Sequence, residues 1–467
     1  MYECTQPAND LASSCIQDAE QLHHSHTWQP LIDGSLRSRA LEAAHLVTER
    51  LSDPDRVLEA AECAIRQSTW PLYWHSSSPS FGFAGVAFVY AQILRCFPGE
   101  GWNKVAHQYL MLASQGTHTH PLSRPGFFSG TSGMAAVVSL LNKEDERYQK
   151  ISNTLNKQLC EQILAYHYQR DTVNGIATAE FDAVNGAAGV LAYLITVDDP
   201  DELTVACIHS LIGYLIWLSS FDEEQQRERW YTSAQSLVTE SQRLHYPQGW
   251  LNCGMSHGIP GPLAALALAW LAGYRIPGQR EAITFLSQWI VEHQVPDQWG
   301  INWPEAIPAQ IASSVQKWKK LPPARSAWCY GAPGVARALW LAGSALADVA
   351  LQQVAYSAIE GVLRRPVAGR DINAPTLCHG IAGLLTICLH FAHETQSTFL
   401  REQIPLLVSQ ILAHFNPDSL LGFRGQETYE EPIDHPGWLT GSPGTALALL
   451  ASATAVEPVW SRYLLIA

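Results

Sequence analysis

One arrangement of polar and apolar positions recurs along the chain. A GxxG element is followed each time by an apolar run. The elements begin at Gly82, Gly130, Gly186, Gly258, Gly331, Gly380 and Gly441, spaced 48, 56, 72, 73, 49 and 61 residues apart. The runs behind them read VAFVYAQIL, MAAVVSLL, VLAYLITV, PLAALALAWLA, VARALWLAG, LLTICLHFA and TALALLASA. They are apolar nearly all round, which predicts helices buried on every side. Between them lie amphipathic stretches, among them 39–51, 201–218, 281–293 and 400–414. One GxxG carries little information; seven, each opening a similar run, mark an internal repeat.

Each unit therefore reads as an outer amphipathic helix, a loop, a glycine turn and an inner buried helix. Small residues at the turn let the chain bend sharply and let inner helices approach closely. Seven such hairpins predict an all-α fold, a double-layered α/α toroid spanning residues 39–467, with 1–38 as an N-terminal extension. An open solenoid is the competing arrangement. Solenoids hold a tighter period and carry polar terminal caps, whereas the last unit here is as apolar as the middle ones, which favours closure. Two connections are long, 221–251 and 295–328, and both contain Trp and Pro. Loops of that length are commonly functional. They are expected to overhang the end where the turns gather and to touch substrate.

Composition narrows the function classes. With 29 basic and 43 acidic residues the net charge is −14, which argues against nucleic acid as the main partner. The start, MYECTQPAND, shows no signal-peptide pattern. The most apolar segment, 258–274, is interrupted by Gly and Pro and is too short for an integral membrane segment. Ten cysteines lie far apart without a CxxC pair. Most are expected to be free thiols, and the majority core filler.

The repeat also aligns candidate chemistry. The residues just before each GxxG are Phe81, Ser129, Asn185, His257, Tyr330, His379 and Thr440; one position earlier stand Ser80, Phe128, Val184, Ser256, Cys329, Cys378 and Leu439. Units four, five and six thus carry reactive types in one phase, and closure points that phase at a shared centre. Cys329, Cys378 and His379 supply two sulfurs and one nitrogen. Zinc favours such a set, and three protein ligands leave a fourth position open, as in catalytic sites. Coordination there would deprotonate a thiol whose unperturbed pKa is ~8.5. His257 suits general acid–base work. A lone histidine is more often a satisfied core residue, and Cys253, four positions earlier, offers a weaker pairing for a metal. Asp182 either orients His257 or caps its helix. Arg325 and Tyr330 flank Cys329 as oxyanion donors, against the plain alternatives of a surface arginine and a packed tyrosine. The histidine-rich stretches LHHSHTW and HTHP lie out of phase and read as loops.

WCYGAPG, LCHGIAG, GMSHGIPG and FDAVNGAAG together resemble the lanthionine synthetase C-like family, the lanthipeptide cyclases. The resemblance covers the chain from about residue 40 onward. It implies an α/α toroid with one Zn2+ held by Cys329, Cys378 and His379. His257, Asp182, Arg325 and Tyr330 match its other active-site positions, and Trp328 matches an aromatic with a packing role. The implied reaction is Michael-type addition of a precursor-peptide cysteine to dehydroalanine or dehydrobutyrine, giving thioether rings. In that scheme the thiol gives up its proton at zinc, and His257, positioned by Asp182, protonates the α-carbon. The chain is too short for a fused dehydratase. It resembles the stand-alone cyclases, cytoplasmic enzymes that work with a separate dehydratase and often an exporter at the inner membrane face. Three rivals stand beside this reading: glutathione addition by a member of the same family, a zinc-dependent prenyltransferase-like toroid, and a non-catalytic peptide-binding adaptor.

Overall fold

In six of the seven units the first glycine of GxxG is the residue that caps an inner helix, and Gly258 stands one position before the cap of its own. The computed structural model describes residues 27–69, 72–426 and 431–467. Its inner helices are Phe83–Cys96, Thr131–Glu144, Ala187–Leu194, Pro260–Leu271, Ala332–Leu346, Ile381–Thr395 and Ser442–Ala453. Each packs on the next, and the seventh packs on the first, so the ring is closed. The expected α/α toroid is the observed fold. Every residue of Ser442–Ala453 is buried, as the all-round apolar runs require.

The outer helices are amphipathic. In Gln279–Glu292 the buried apolar positions Ala282, Ile283, Leu286, Trp289 and Ile290 form one face. Pairing differs from the simplest reading in one respect: each outer helix packs mainly on the inner helix that precedes it in the chain. The first outer helix, Gly34–Leu51, therefore has no earlier partner and lies against the last inner helix. Leu31 N donates to Ser452 O, and the Trp28 indole to Ala451 O. Trp28 and Ile32 are buried, so packing begins ahead of residue 39, inside the stretch expected to be an extension.

The second glycine of each GxxG has a common steric reason. A Cβ there would fall within 3.0 Å of the carbonyl oxygen six residues earlier, in all seven units. Helix N-terminus and incoming loop cross at a distance only glycine permits. That crossing holds the pre-glycine residues against their neighbours, and a belt of backbone hydrogen bonds joins successive turns. Ser80 N donates to Phe128 O, Phe128 N to Val184 O, Ala183 N to Ser256 O, Ser256 N to Cys329 O, Cys329 N to Cys378 O, and Cys378 N to Leu439 O.

The middle of the ring is filled by the segment around the 3-10 turn Val459–Leu464. Tyr463 packs on Phe88 and Phe127, Ser461 bonds His390, and the Arg337 Nε donates to Ile466 O. This segment touches inner helices from both sides of the ring and supplies the floor beneath the turns. The two long connections are ordered: their strands Trp250–Asn252 and Ala306–Pro308 pair antiparallel, with Leu251 opposite Ile307. Among the described residues no helix is long and apolar enough to cross a membrane.

Candidate metal centre and acid–base pair

Cys329 and Cys378 occupy equivalent places in adjacent turns, tied by the hydrogen bond from Cys329 N to Cys378 O. Closure brings one ligand atom from each of Cys329, Cys378 and His379 within 4.8 Å of one another. This is the only such His/Cys/Asp/Glu group among the described residues. Cys329 is buried, and Cys378 and His379 are partly buried. The Cys378 thiol hydrogen-bonds Cys329 and His379. The bond with Cys329, followed by burial, holds its pKa well above the usual thiol range. A soft cation is what turns such a pair of buried thiols into thiolates, so the donor set fits zinc.

His257 projects from the neighbouring turn. Its Nδ1 lies 2.7 Å from Asp182 Oδ2, with Asp182 almost fully buried and His257 accessible. The other Asp182 oxygen, Oδ1, accepts from the backbone N–H groups of Val184, Asn185 and Gly186. One oxygen therefore contacts His257 and the other holds the turn ahead of the inner helix, whose own cap is Gly186 rather than Asp182. With Nδ1 engaged, the His257 Nε2 is the nitrogen left to face a reactant.

Tyr330 is held by Asn252, whose Nδ2 donates to the phenol oxygen at 3.2 Å and whose Oδ1 accepts from Gly254 N. Burial drives the Tyr330 pKa far up, so its hydroxyl stays a neutral donor. Arg325 is exposed, and no side-chain hydrogen bond or ion pair joins it to any described residue. Trp328 is fully buried and donates its indole N–H to Leu464 O at 2.9 Å, a packing role as expected. Cys253 is excluded from the metal group: it is buried, donates to Leu251 O, and desolvation pushes its pKa strongly up. HTHP forms the turn after Trp102–Gly116, where the His120 ring stands 4.2 Å from that of His75. The histidines of LHHSHTW lie outside the described residues.

The model of the lanthionine synthetase C-like protein family matches residues 73–465. The chain belongs to that family. Nisin biosynthesis protein NisC of Lactococcus lactis subsp. lactis is 24% identical over 353 residues, covering 74% of this chain and 81% of that protein. Among solved structures, a nisin cyclase superposes with a TM-score of 0.71 at 22% identity, over 85% of this chain and 93% of the other. That likeness is one of fold.

Three asparagines of this family member carry no mark in the pattern of chemical types. Asn252 positions Tyr330. Asn302, from the second long connection, accepts from Ala332 N, the first residue of the inner helix behind Cys329, and donates to Ala324 O. Asn185 accepts from Ser129 Oγ at 2.7 Å across two turns. Asn185 shares the phase of His257 and Tyr330, and that phase is the signal that could have found it. Asn302 has no such signal, because only the tertiary path of its loop brings it to the helix.

Proposed function

We propose that this protein is a zinc-dependent lanthipeptide cyclase that joins precursor-peptide cysteines to dehydroalanine or dehydrobutyrine as thioether rings. The observation that carries the reading is the gathering of Cys329, Cys378 and His379 on adjacent turns, with His257 on the next turn and its partner Asp182 on the turn beyond. Zinc in that set would supply a fourth position at which a substrate thiol is a thiolate at neutral pH.

The protein's own residues account for the rest. The addition forms a bond from sulfur to the β-carbon and moves the carbon–carbon π electrons toward the carbonyl. In this reading Tyr330, with its phenol proton free to donate, and Arg325 would stabilise the charge that gathers on that oxygen. His257 Nε2 carries a proton to the α-carbon, so the thiol's hydrogen is restored and no other reactant is consumed. Asp182 fixes the tautomer and ring orientation of His257. The long connections 221–251 and 295–328 form the substrate-facing wall.

The eight described cysteines are all free, in keeping with a reducing, cytoplasmic setting. A dehydrated precursor peptide is the substrate in this reading, a separate dehydratase its supplier, and an exporter at the inner membrane face the further partner. The test is metal analysis of the purified protein together with incubation on a dehydrated, cysteine-containing peptide. Ring formation removes alkylatable thiols without changing peptide mass. Zinc-free protein that still closes rings, or zinc-loaded protein that adds only glutathione, would overturn the proposal.

A further inference from the structure

The chain has seven lysines, and three of them, Lys317, Lys319 and Lys320, fall within four positions of a protein whose net charge is −14. All three are exposed. Lys143 and Lys157 pair with Asp198 and Glu161, whereas none of these three has a carboxylate partner among the described residues.

Their segment is not a loose loop. The helical turn Val315–Trp318 is anchored by Trp318, which is 2% exposed and packs its ring on His293 at 4.8 Å. Lys319 N and Lys320 N bond back to Val315 O and Lys317 O. Downstream the chain is pinned again, by Ala324 N to Trp303 O and by Ser326 N to Arg370 O. Cys329 follows Lys320 by nine residues and Lys317 by twelve, so the lysines stand within about 32 to 43 Å of it along the chain.

We infer that this lysine platform docks an acidic segment of the substrate peptide, outside the residues that react. The inference rests on the proposed function for the word substrate; the charge argument stands alone. An extended polyanion or an anionic membrane meets the repulsion of the whole acidic surface. A short peptide meets mainly the local field, because charges beyond about 8 Å are screened at physiological salt. Membrane attachment also wants a larger apolar face beside the cations, and of the apolar residues on this turn Trp318 points inward and only Val315 is well exposed. The platform precedes Cys329 in the same pinned strap, so the docked segment is held on the stretch of chain that leads to the candidate metal group.

The experiment measures fluorescence anisotropy of a fluorescein-labelled eight-residue Asp/Gly peptide and its Asn/Gly counterpart on the full chain. The Asp peptide should bind more tightly than the Asn peptide and weaken as salt rises. The variant K317Q/K319Q/K320Q should bind it roughly tenfold less well, the sum of three exposed pairs, with unchanged zinc content. In turnover, the same Asp tag on a dehydrated cysteine peptide should lower KM relative to the untagged peptide with the native protein and not with the variant. Equal affinity of native protein and variant for the Asp peptide overturns the inference, as does an equal KM. Lysine-dependent binding of phosphatidylglycerol vesicles without peptide binding overturns it too. Binding is read without catalysis, so it fails or holds separately from ring formation.

Discussion

Asp182 Oδ2 lies 2.7 Å from His257 Nδ1, while Oδ1 of the same carboxylate gathers three backbone N–H groups of its own turn. One buried side chain thus builds the turn and aims the imidazole. The two functions separate by substitution. Asp182→Asn keeps an oxygen for the turn and puts an amide N–H against His257, which forces the other tautomer. Turnover should fall by roughly 10²–10⁴ with urea stability close to native. Asp182→Ala should lose turnover and also at least about 3 kcal/mol, from three orphaned N–H groups. Native turnover in Asp182→Asn would remove Asp182 from the mechanism.

Metal binding should track the three clustered residues and no others. Cys329→Ala, Cys378→Ala and His379→Ala are each expected to reduce zinc from one per chain to little or none by elemental analysis. His257→Ala should keep its zinc and lose turnover. Zinc retained at full stoichiometry in Cys378→Ala would place the ion elsewhere.

The steric account of the turns sets two glycines against each other. Gly133→Ala drives a Cβ into the Phe127 carbonyl and should cost about 2–4 kcal/mol or prevent folding. Gly213, inside the outer helix Glu202–Leu218, faces open space: a Cβ there would meet no other atom within 4 Å. Gly213→Ala should therefore stabilise by about 0.4–1 kcal/mol. Denaturant midpoints decide; a neutral Gly133→Ala would refute the crossing argument.

Trp328→Phe probes the link between the central segment and Cys329. It retains most of the buried volume and leaves the Leu464 carbonyl without its indole donor. A loss of about 1–3 kcal/mol is expected, with weaker zinc retention under chelator competition. Unchanged stability would mean that another donor reaches Leu464.

Acid sensitivity follows from buried imidazoles. His390, bonded to Ser461, is held well below the ordinary histidine value by burial and by nearby Arg337; burial also lowers His293 and His414. Below about pH 6.5 the unfolded chain takes up protons that the folded chain refuses. Stability should therefore decline as pH falls under about 6.5, with the buried His390 contributing up to about 1.4 kcal/mol per unit and the more exposed His293 and His414 less, and be independent of them above it. Urea titrations at several pH values should show a shallower acid slope in His390→Asn; an identical slope would exclude His390 as a contributor.

Much of the site was legible because the repeat is regular. The phase drawn from seven GxxG elements put Ser80, Phe128, Ser256, Cys329, Cys378 and Leu439 in register, and six backbone hydrogen bonds join the turns at that level. The second glycines, the buried runs and the presence of Cys and His side chains in the turn phase are local properties, set by sterics and polarity within a few residues, and a sequence states them directly. Other relationships depend on how distant segments meet. The first outer helix covers the last inner one, the 459–466 segment fills the ring, and Asn302 reaches the helix behind Cys329. No local preference encodes these, since many apolar segments could fill the same space. Packing of the whole ring selects one. The sequence alone therefore determined the repeat, the toroid and which Cys and His side chains gather as a candidate metal set. Tertiary structure decided that Asp182 serves two partners, that Tyr330 rests on Asn252, and that the turn carrying Cys329 is braced from beneath by Leu464.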